Sequence, residues 1–380
     1  MKVLHLISGG DTGGAKTHVI SLVKELNRII DTRIICFMDG VFHREALEAG
    51  IDIEVLEQKS RMDLSIIGRI RDEIEQKGYD LIHCHGARAN FIGAILKELI
   101  DIPIITTIHS DYKLDFKDNS YKRLIYTPLN ALALKRLDYY MAVSDAFKSM
   151  LIDRNFAEDR IFTIYNGVDM DALMDYISRD QFLQRYGIEG NERVIIGIMG
   201  RLDQVKDHKT FIRAAAKILE HREDALFLIA GTGNDEARLK NLVIDMDLEK
   251  HIHFLGFVED EYSFFNAIDI NVLTSISESF PYVLLEGARL KKPTISTDVG
   301  GIHRLIEDGY SGYLIEVGDW ESLAKNIISL MGDEDRMSIM GKNLYETLRL
   351  NFSARKMAEE HHAIYERILD IGGRGYEGNR

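Results

Sequence analysis

The stretch "RVIIGIMGRL" (193–202) is a short apolar run that ends in a glycine and a cation. It repeats, halfway along the chain, the pattern on which the chain opens. There "KVLHLIS" (2–8) runs into "GGDTGG" and then into the helical-period segment "AKTHVISLVKELN" (15–27). Continuous apolar runs bounded by turn residues and separated by amphipathic segments predict parallel sheets covered by helices. Before residue 193 the runs are "TRIICFM", "IDIEVL", "DLIHCH", "PIITTIH" and "DYYMAVS", with helical patterns such as "SIIGRIRDEIEQK" (65–77) between them. After "RVIIGIMGRL" they are "ALFLIAGTG", "HIHFLGF", "AIDINVLTS", "PTISTDVGG" and "SGYLIEV". One restart in 380 residues predicts two doubly wound α/β domains of similar size, facing each other across a cleft. The polar segment "RDQFLQRYGIEGNE" (179–192), punctuated by Gly187 and Gly190, reads as the junction, which gives domains 1–180 and 181–352.

Composition narrows the function classes. The formal net charge is −14, so non-specific binding to the phosphate backbone of nucleic acid is disfavoured. The charge is uneven: 22 basic against 25 acidic residues over 1–170, and 25 against 36 over the rest. The first half could lie near an anionic surface more easily than the second. Two cysteines, Cys36 and Cys84, both in apolar runs, exclude a disulfide scaffold and fit a reducing compartment. No apolar stretch reaches the ~18 residues of a membrane span. The expectation is a cytoplasmic protein.

In open parallel sheets ligands bind beyond the carboxyl ends of the strands. In the second half those ends carry Arg201 and Lys206, the glycine turn "GTGND" (231–235), the stretch "SESFPYVLLEGA" (277–288) and "VGG" (299–301). Pro281 suits the first helical position, with Ser279 near the cap. Glu278 then lies in the loop before the helix, and Glu286 one to two turns into it. Helix-start amides, two cations and glycine turns suit a diphosphate. Carboxylates beside a diphosphate make sense as acceptors for ribose or sugar hydroxyls. The plain alternatives are a surface glutamate at 286, solvated cations at 201 and 206, and ordinary turns.

These residues resemble the retaining glycosyltransferases of family 4, which have the GT-B fold. The E-x7-E signature is "ESFPYVLLE" (278–286), the phosphate motif is "GRLDQVK" (200–206), and "NGVD" (166–169), "DVGG" (298–301), "GGDTGGAKTH" and "TTIHSD" follow the family's pattern. The resemblance implies that Glu286 binds the nucleotide ribose and that Glu278 holds a hydroxyl of the donor sugar. It implies that Arg201 and Lys206 clamp the diphosphate, that backbone near Phe280, Tyr282 and Val283 contacts phosphate or sugar, and that backbone at Val258 reads the base. Gly14 would approach the phosphate, His109 would face the transferred sugar, and His85 and Arg88 resemble acceptor-side positions. The terminal segment 353–380 would cross back to the first domain. The common "EGFG" is here "ESFP", a bulkier loop, and the glycine that often follows the motif lysine is Asp207.

The implied activity is transfer of a sugar from a nucleotide sugar, UDP-linked before GDP-linked, to a glycan or lipid-linked acceptor, with retention and without a metal or other cofactor. Exopolysaccharide or cell-envelope glycan synthesis is the implied setting. The segment "YKRLIYTPLNALALKRL" (121–137) places Lys122, Arg123, Lys135 and Arg136 around an apolar centre. It suits either an interfacial helix on the inner membrane face or an ordinary core helix. Two other readings stay open: a nucleotide-sugar 2-epimerase on the same fold, and a non-catalytic partner subunit that binds nucleotide sugar or another transferase.

Overall fold

The computed structural model describes all residues except 11–12, 61–62, 112, 114–119, 190–192 and 378–380; the side chains of 120–123, 125–126 and 372–377 also lie outside the described set. The chain divides into two compact units, Met1–Asp169 with Ala354–Arg380, and Met170–Ser353.

The first unit is built on β1 (Lys2–Ile7), β2 (Asp31–Cys36), β3 (Ile53–Val55), β4 (Leu81–His85), β5 (Ile104–Ile108), β6 (Tyr139–Ala142) and β7 (Ile161–Thr163). They form one parallel sheet in the order β3-β2-β1-β4-β5-β6-β7. β4 and β5 are buried along their whole length, as strands covered on both faces must be, and they carry the buried polar residues His83, His85, Thr106 and Thr107. The helix Gly14–Leu26 contributes Leu22 and Leu26 to one of the covering cores. The terminal helix Ala354–Glu377 packs Met357, Ala358, Tyr365 and Ile368 into the same cluster, against Val3, Leu81, Ile105 and Met141.

The second unit repeats the plan with β8 (Val194–Met199), β9 (Ala225–Ala230), β10 (Ile252–Gly256), β11 (Ile270–Leu273), β12 (Thr294–Thr297) and β13 (Tyr313–Ile315). The order is β10-β9-β8-β11-β12-β13, again parallel throughout. In each sheet the winding reverses once, between β1 and β4 and between β8 and β11. Such reversals open a crevice at the strands' carboxyl ends, because successive connections leave to opposite faces.

The junction differs from the expected one. The chain passes from the first unit to the second at Asp169/Met170, about ten residues before the glycine-marked segment. That polar segment is tied into the second unit instead. Ser178 and Gln181 form a capping box on the helix Arg179–Arg185. Arg179 Nη1 donates to both carboxylate oxygens of Asp269, at 2.8 and 2.9 Å, and Ile177 N donates to Ser263 Oγ at 2.9 Å. Gly190 lies outside the described residues. Both cysteines are buried and unpaired with each other. Among the described residues no helix is long and apolar enough to cross a membrane.

Candidate active site

At the β8–β11 switch point the loop after β8, "GRLDQVK", is knitted to the loop after β11. Asp203 Oδ1 accepts from the amides of Val205 and Lys206 at 3.0 and 3.1 Å, which turns the loop back on itself. Ile276 N donates to Val205 O at 2.7 Å, and Thr274 Oγ1 donates to the carbonyls of Lys206 and Asp207, each at 3.0 Å. β12 holds the assembly from the other side, where Thr297 Oγ1 donates to Ser275 O at 2.6 Å. Three strand ends thus fix one constellation: Glu278 Oε1 accepts from Lys206 Nζ at 2.5 Å and from Ser275 Oγ at 2.6 Å.

Asp207 has φ +44, the left-handed conformation that the family's glycine adopts freely. Aspartate tolerates it because its short side chain bonds locally, here with Oδ2 accepting from Thr210 Oγ1 at 2.6 Å. Gly300 has no such latitude. Its φ is +62, and a Cβ there would stand 2.2 Å from Glu278 O and 2.7 Å from Ser279 O. The "VGG" turn therefore packs backbone to backbone against the loop that carries Glu278, and Gly301 N donates to Ser279 O at 2.9 Å.

The helix after this loop is Tyr282–Arg289, with Pro281 as its N-cap in extended conformation. It starts one residue later than expected, and Ser279 does not cap it: no side chain bonds the cap, and the Ser279 carbonyl is engaged by Gly301. Glu286 is buried on this helix. Burial, followed by the nearby Glu286 charge, holds the Tyr282 phenol well above its usual range. Tyr262 is also raised, chiefly by burial, with Glu286 among the lesser causes. Phe280 is buried against Phe352, ring centroids 4.8 Å apart. Val283 opens the helix beside Tyr282, and its carbonyl accepts from Asn271 Nδ2 of β11 at 3.3 Å. Val258 lies between β10 and the next helix, Glu261–Ala267. Arg201 is 77 % exposed and pairs with Asp203 at 3.3 Å, so the two expected cations differ: Lys206 is held inside the constellation and Arg201 reaches into solvent.

The first unit has its own cluster at the β1–β4 switch point. Gly14 begins the helix Gly14–Leu26, but the left-handed backbone belongs to Gly13, φ +63. His109 follows β5 and is partly exposed. His85 is fully buried at the end of β4, and its two ring nitrogens lie against His5 Nδ1 at 3.1 Å and His109 Nε2 at 3.5 Å. It is therefore turned into the protein rather than toward an open acceptor face. Arg88 donates from Nε to Gln58 Oε1 at 2.6 Å and lies over the Phe37 ring.

The sequence reading did not find the rest of this cluster. His5, His18, His83 and His361 converge with His85 and His109. His83 Nδ1 lies 2.7 Å from Tyr365 Oη, and His361 Nδ1 donates to Met357 O at 2.8 Å, so the terminal helix closes it. "NGVD" anchors it too: Asn166 Oδ1 lies 2.9 Å from His18 Nδ1, and Asp169 pairs with Lys24 at 2.7 Å. The "HCH" alternation on one strand was the available signal for His83 and His85.

Two doubly wound units carrying these motifs at their switch points define a GT-B glycosyltransferase. The chain belongs to glycosyltransferase family 4: residues 12–172 match Glycosyltransferase Family 4 and residues 178–347 match Glycosyl transferases group 1. It is 31 % identical over 313 residues to the N-acetyl-α-D-glucosaminyl L-malate synthase of Bacillus anthracis, covering 81 % of this chain and 80 % of that one. It is 26 % identical over 299 residues to the UDP-Gal:α-D-GlcNAc-diphosphoundecaprenol α-1,3-galactosyltransferase of Escherichia coli, covering 77 % and 76 %. The crystal structure of Anabaena HepE with UDP-glucose has the same fold, with a TM-score of 0.80 at 22 % identity over 97 % of this chain and all of that one.

Proposed function

We propose that the protein is a retaining glycosyltransferase that moves a hexosyl group from a nucleotide sugar, UDP-linked before GDP-linked, to a glycan or lipid-linked acceptor in exopolysaccharide or cell-envelope glycan synthesis. The observation that carries the reading is the joining of Lys206, Ser275 and Glu278 at the β8–β11 switch point. The two curated relatives support it in kind, one by name a galactosyltransferase between UDP-Gal and a diphosphoundecaprenol-linked GlcNAc, the other an N-acetylglucosaminyl malate synthase.

The hard step breaks the bond between the anomeric carbon and the diphosphate oxygen. Negative charge grows on the leaving diphosphate, and its electrostatic stabilisation is the main lever. A lysine ammonium has three donors, so Lys206 can keep one on Glu278 and turn another to a phosphate oxygen. Arg201, exposed on its flexible stem, adds a second cation. Glu278, oriented by Ser275 and Lys206, accepts from a sugar hydroxyl and positions the ring. Glu286 accepts from the ribose hydroxyls, backbone at Val258 reads the base, and backbone at Phe280, Tyr282 and Val283 contacts phosphate or sugar. Gly14 approaches the phosphate, His109 faces the transferred sugar, and Arg88 serves the acceptor. His85 acts only from behind His109. The departing phosphate takes the acceptor's proton as the acceptor attacks the face it leaves. No metal is needed, because Arg201 and Lys206 supply the countercharge.

The deciding experiment is a thermal shift with UDP, GDP and ADP, each with chelator present, on wild type and Glu286→Ala. Ligand binding to the folded state alone adds about 2.7 kcal/mol at a hundredfold excess over Kd. A shift with one nucleotide, lost in the variant, is the expected result. No shift with any nucleotide would favour a partner subunit. Peripheral membrane contact on the cytoplasmic face is part of the proposal. The helix Ser120–Leu134 exposes Leu124 and Leu132, whereas the side chains of Lys122 and Arg123 lie outside the described residues. Flotation with anionic liposomes at low salt tests it, and absence of association removes it.

A further inference from the structure

Six of the 13 histidines share one buried cluster in the first unit, and the proposed chemistry uses only one of them directly. One ring nitrogen from each of His18, His85 and His109 lies within 4.8 Å of the other two. The outer nitrogens of two of these rings are already engaged. His18 Nδ1 lies 2.9 Å from Asn166 Oδ1, an oxygen that can only accept, so Nδ1 carries the proton and Nε2 presents a lone pair. That Nε2 is buried and has no hydrogen-bond partner. His85 Nε2 lies 3.1 Å from His5 Nδ1, which leaves Nδ1 facing His109. An imidazole whose far nitrogen is fixed by a polar partner is the usual state of a metal-bound histidine.

The spacing fits as well. His85 Nδ1 and His109 Nε2 are 3.5 Å apart, a poor hydrogen bond. Two imidazole nitrogens on one tetrahedral zinc, each bonded at about 2.0–2.1 Å, stand about 3.3 Å apart. The set contains no carboxylate, which selects against magnesium and calcium and for ions that prefer imidazole. His109, the partly exposed member, supplies the approach.

We propose that His18, His85 and His109 form a site for one imidazole-preferring divalent transition ion of the zinc class, with its remaining coordination position on the His109 side. A second triad, His5, His83 and His85, is a poorer candidate. Both nitrogens of His83 are engaged, by Tyr365 Oη at 2.7 Å and Thr107 Oγ1 at 2.8 Å. One consequence rests on the function proposed above. An ion on His109 withdraws that ring from the sugar, so the ion inhibits transfer rather than assisting it.

The test uses the full chain, stripped with chelator and titrated with Co2+ while its visible ligand-field absorption is followed, then with Zn2+ as competitor. The expected result is a band that saturates at one ion per chain and disappears with zinc. His18→Gln and His109→Gln each weaken binding at least tenfold, whereas His303→Gln, outside the cluster, leaves it unchanged. Melting curves without metal verify that each variant is folded. If His18→Gln fails to fold, His109→Gln, at the partly exposed ring, carries the test. No band in wild type, or a band that both variants leave intact, overturns the site. A band lost in His5→Gln but kept in both variants moves the ion to the deeper triad and overturns it equally. Stoichiometric binding with undiminished transfer overturns the sugar-facing role of His109 instead.

Discussion

Lys206 Nζ lies 2.5 Å from Glu278 Oε1, and both side chains are largely buried, at 17 % and 10 % exposure. The pair joins the loop after β8 to the loop after β11. Removing one partner strands the other charge in a poorly solvated place, which typically costs ~3–5 kcal/mol, whereas removing both costs far less. Lys206→Met and Glu278→Gln should therefore each destabilise the second unit, and the double variant should recover much of the loss in urea unfolding. Turnover should not recover. A lost charge-assisted contact of ~1.5–3 kcal/mol corresponds to roughly 10- to 150-fold, and all three variants should fall at least that far. Strictly additive stabilities, or a single variant within twofold of wild-type turnover, would break the assignment.

Gly300 sets how closely the "VGG" turn approaches the Glu278 loop. A methyl group at that position meets two backbone carbonyls at 2.2 and 2.7 Å, so one loop has to move. Gly300→Ala should lower nucleotide affinity and turnover together, with Glu278 displaced but still present. Unchanged kcat/KM in the variant would show that the turn does not position the glutamate.

Much of the architecture was readable from the sequence, because strands buried on both faces are written as continuous apolar runs. β8 and β9 are of this kind. β7, Ile161–Thr163, is not among the runs read as strands, although β3 and β13, which are, are no longer than it. The junction was misplaced because glycines mark turns, whereas the unit boundary depends on partners such as Asp269 for Arg179, 90 residues away. The E-x7-E spacing singles out both glutamates, but the Lys206–Glu278 pair spans 72 residues and depends on the crossover between β8 and β11. The histidine cluster was the least legible. Its members come from β1, β4, the end of β5 and two helices separated by more than 300 residues, and beyond the His83/His85 alternation on β4 no local pattern links them.

Tyr365 should be a test of how far the terminal helix stabilises the first unit. Its hydroxyl lies 2.7 Å from His83 Nδ1, and both residues are fully buried. Tyr365→Phe keeps the ring in its cluster and leaves a buried imidazole nitrogen without its partner, which costs ~1–3 kcal/mol. The urea midpoint should fall with an unchanged m-value. An equal or higher midpoint would mean that the contact contributes nothing net.

His208 makes stability depend on acid. It is buried at the start of the helix His208–Leu219, and neither ring nitrogen has a hydrogen-bond partner. Burial first, then the Lys206 charge, lowers its pKa to about 4, against a lesser opposing effect of Asp203. Between pH 6.5 and that value the unfolded chain binds a proton that the folded chain does not, so stability rises with pH across this window and is lost as pH falls through it. From pH 7 to pH 5 the loss from this one group is about 2 kcal/mol. His208→Leu occupies the same buried place without a titrating group. It should match or exceed wild type at pH 7 and lose about 2 kcal/mol less than wild type on going to pH 5. Parallel pH profiles for the two proteins in urea unfolding would show that His208 is solvated or paired in the folded state.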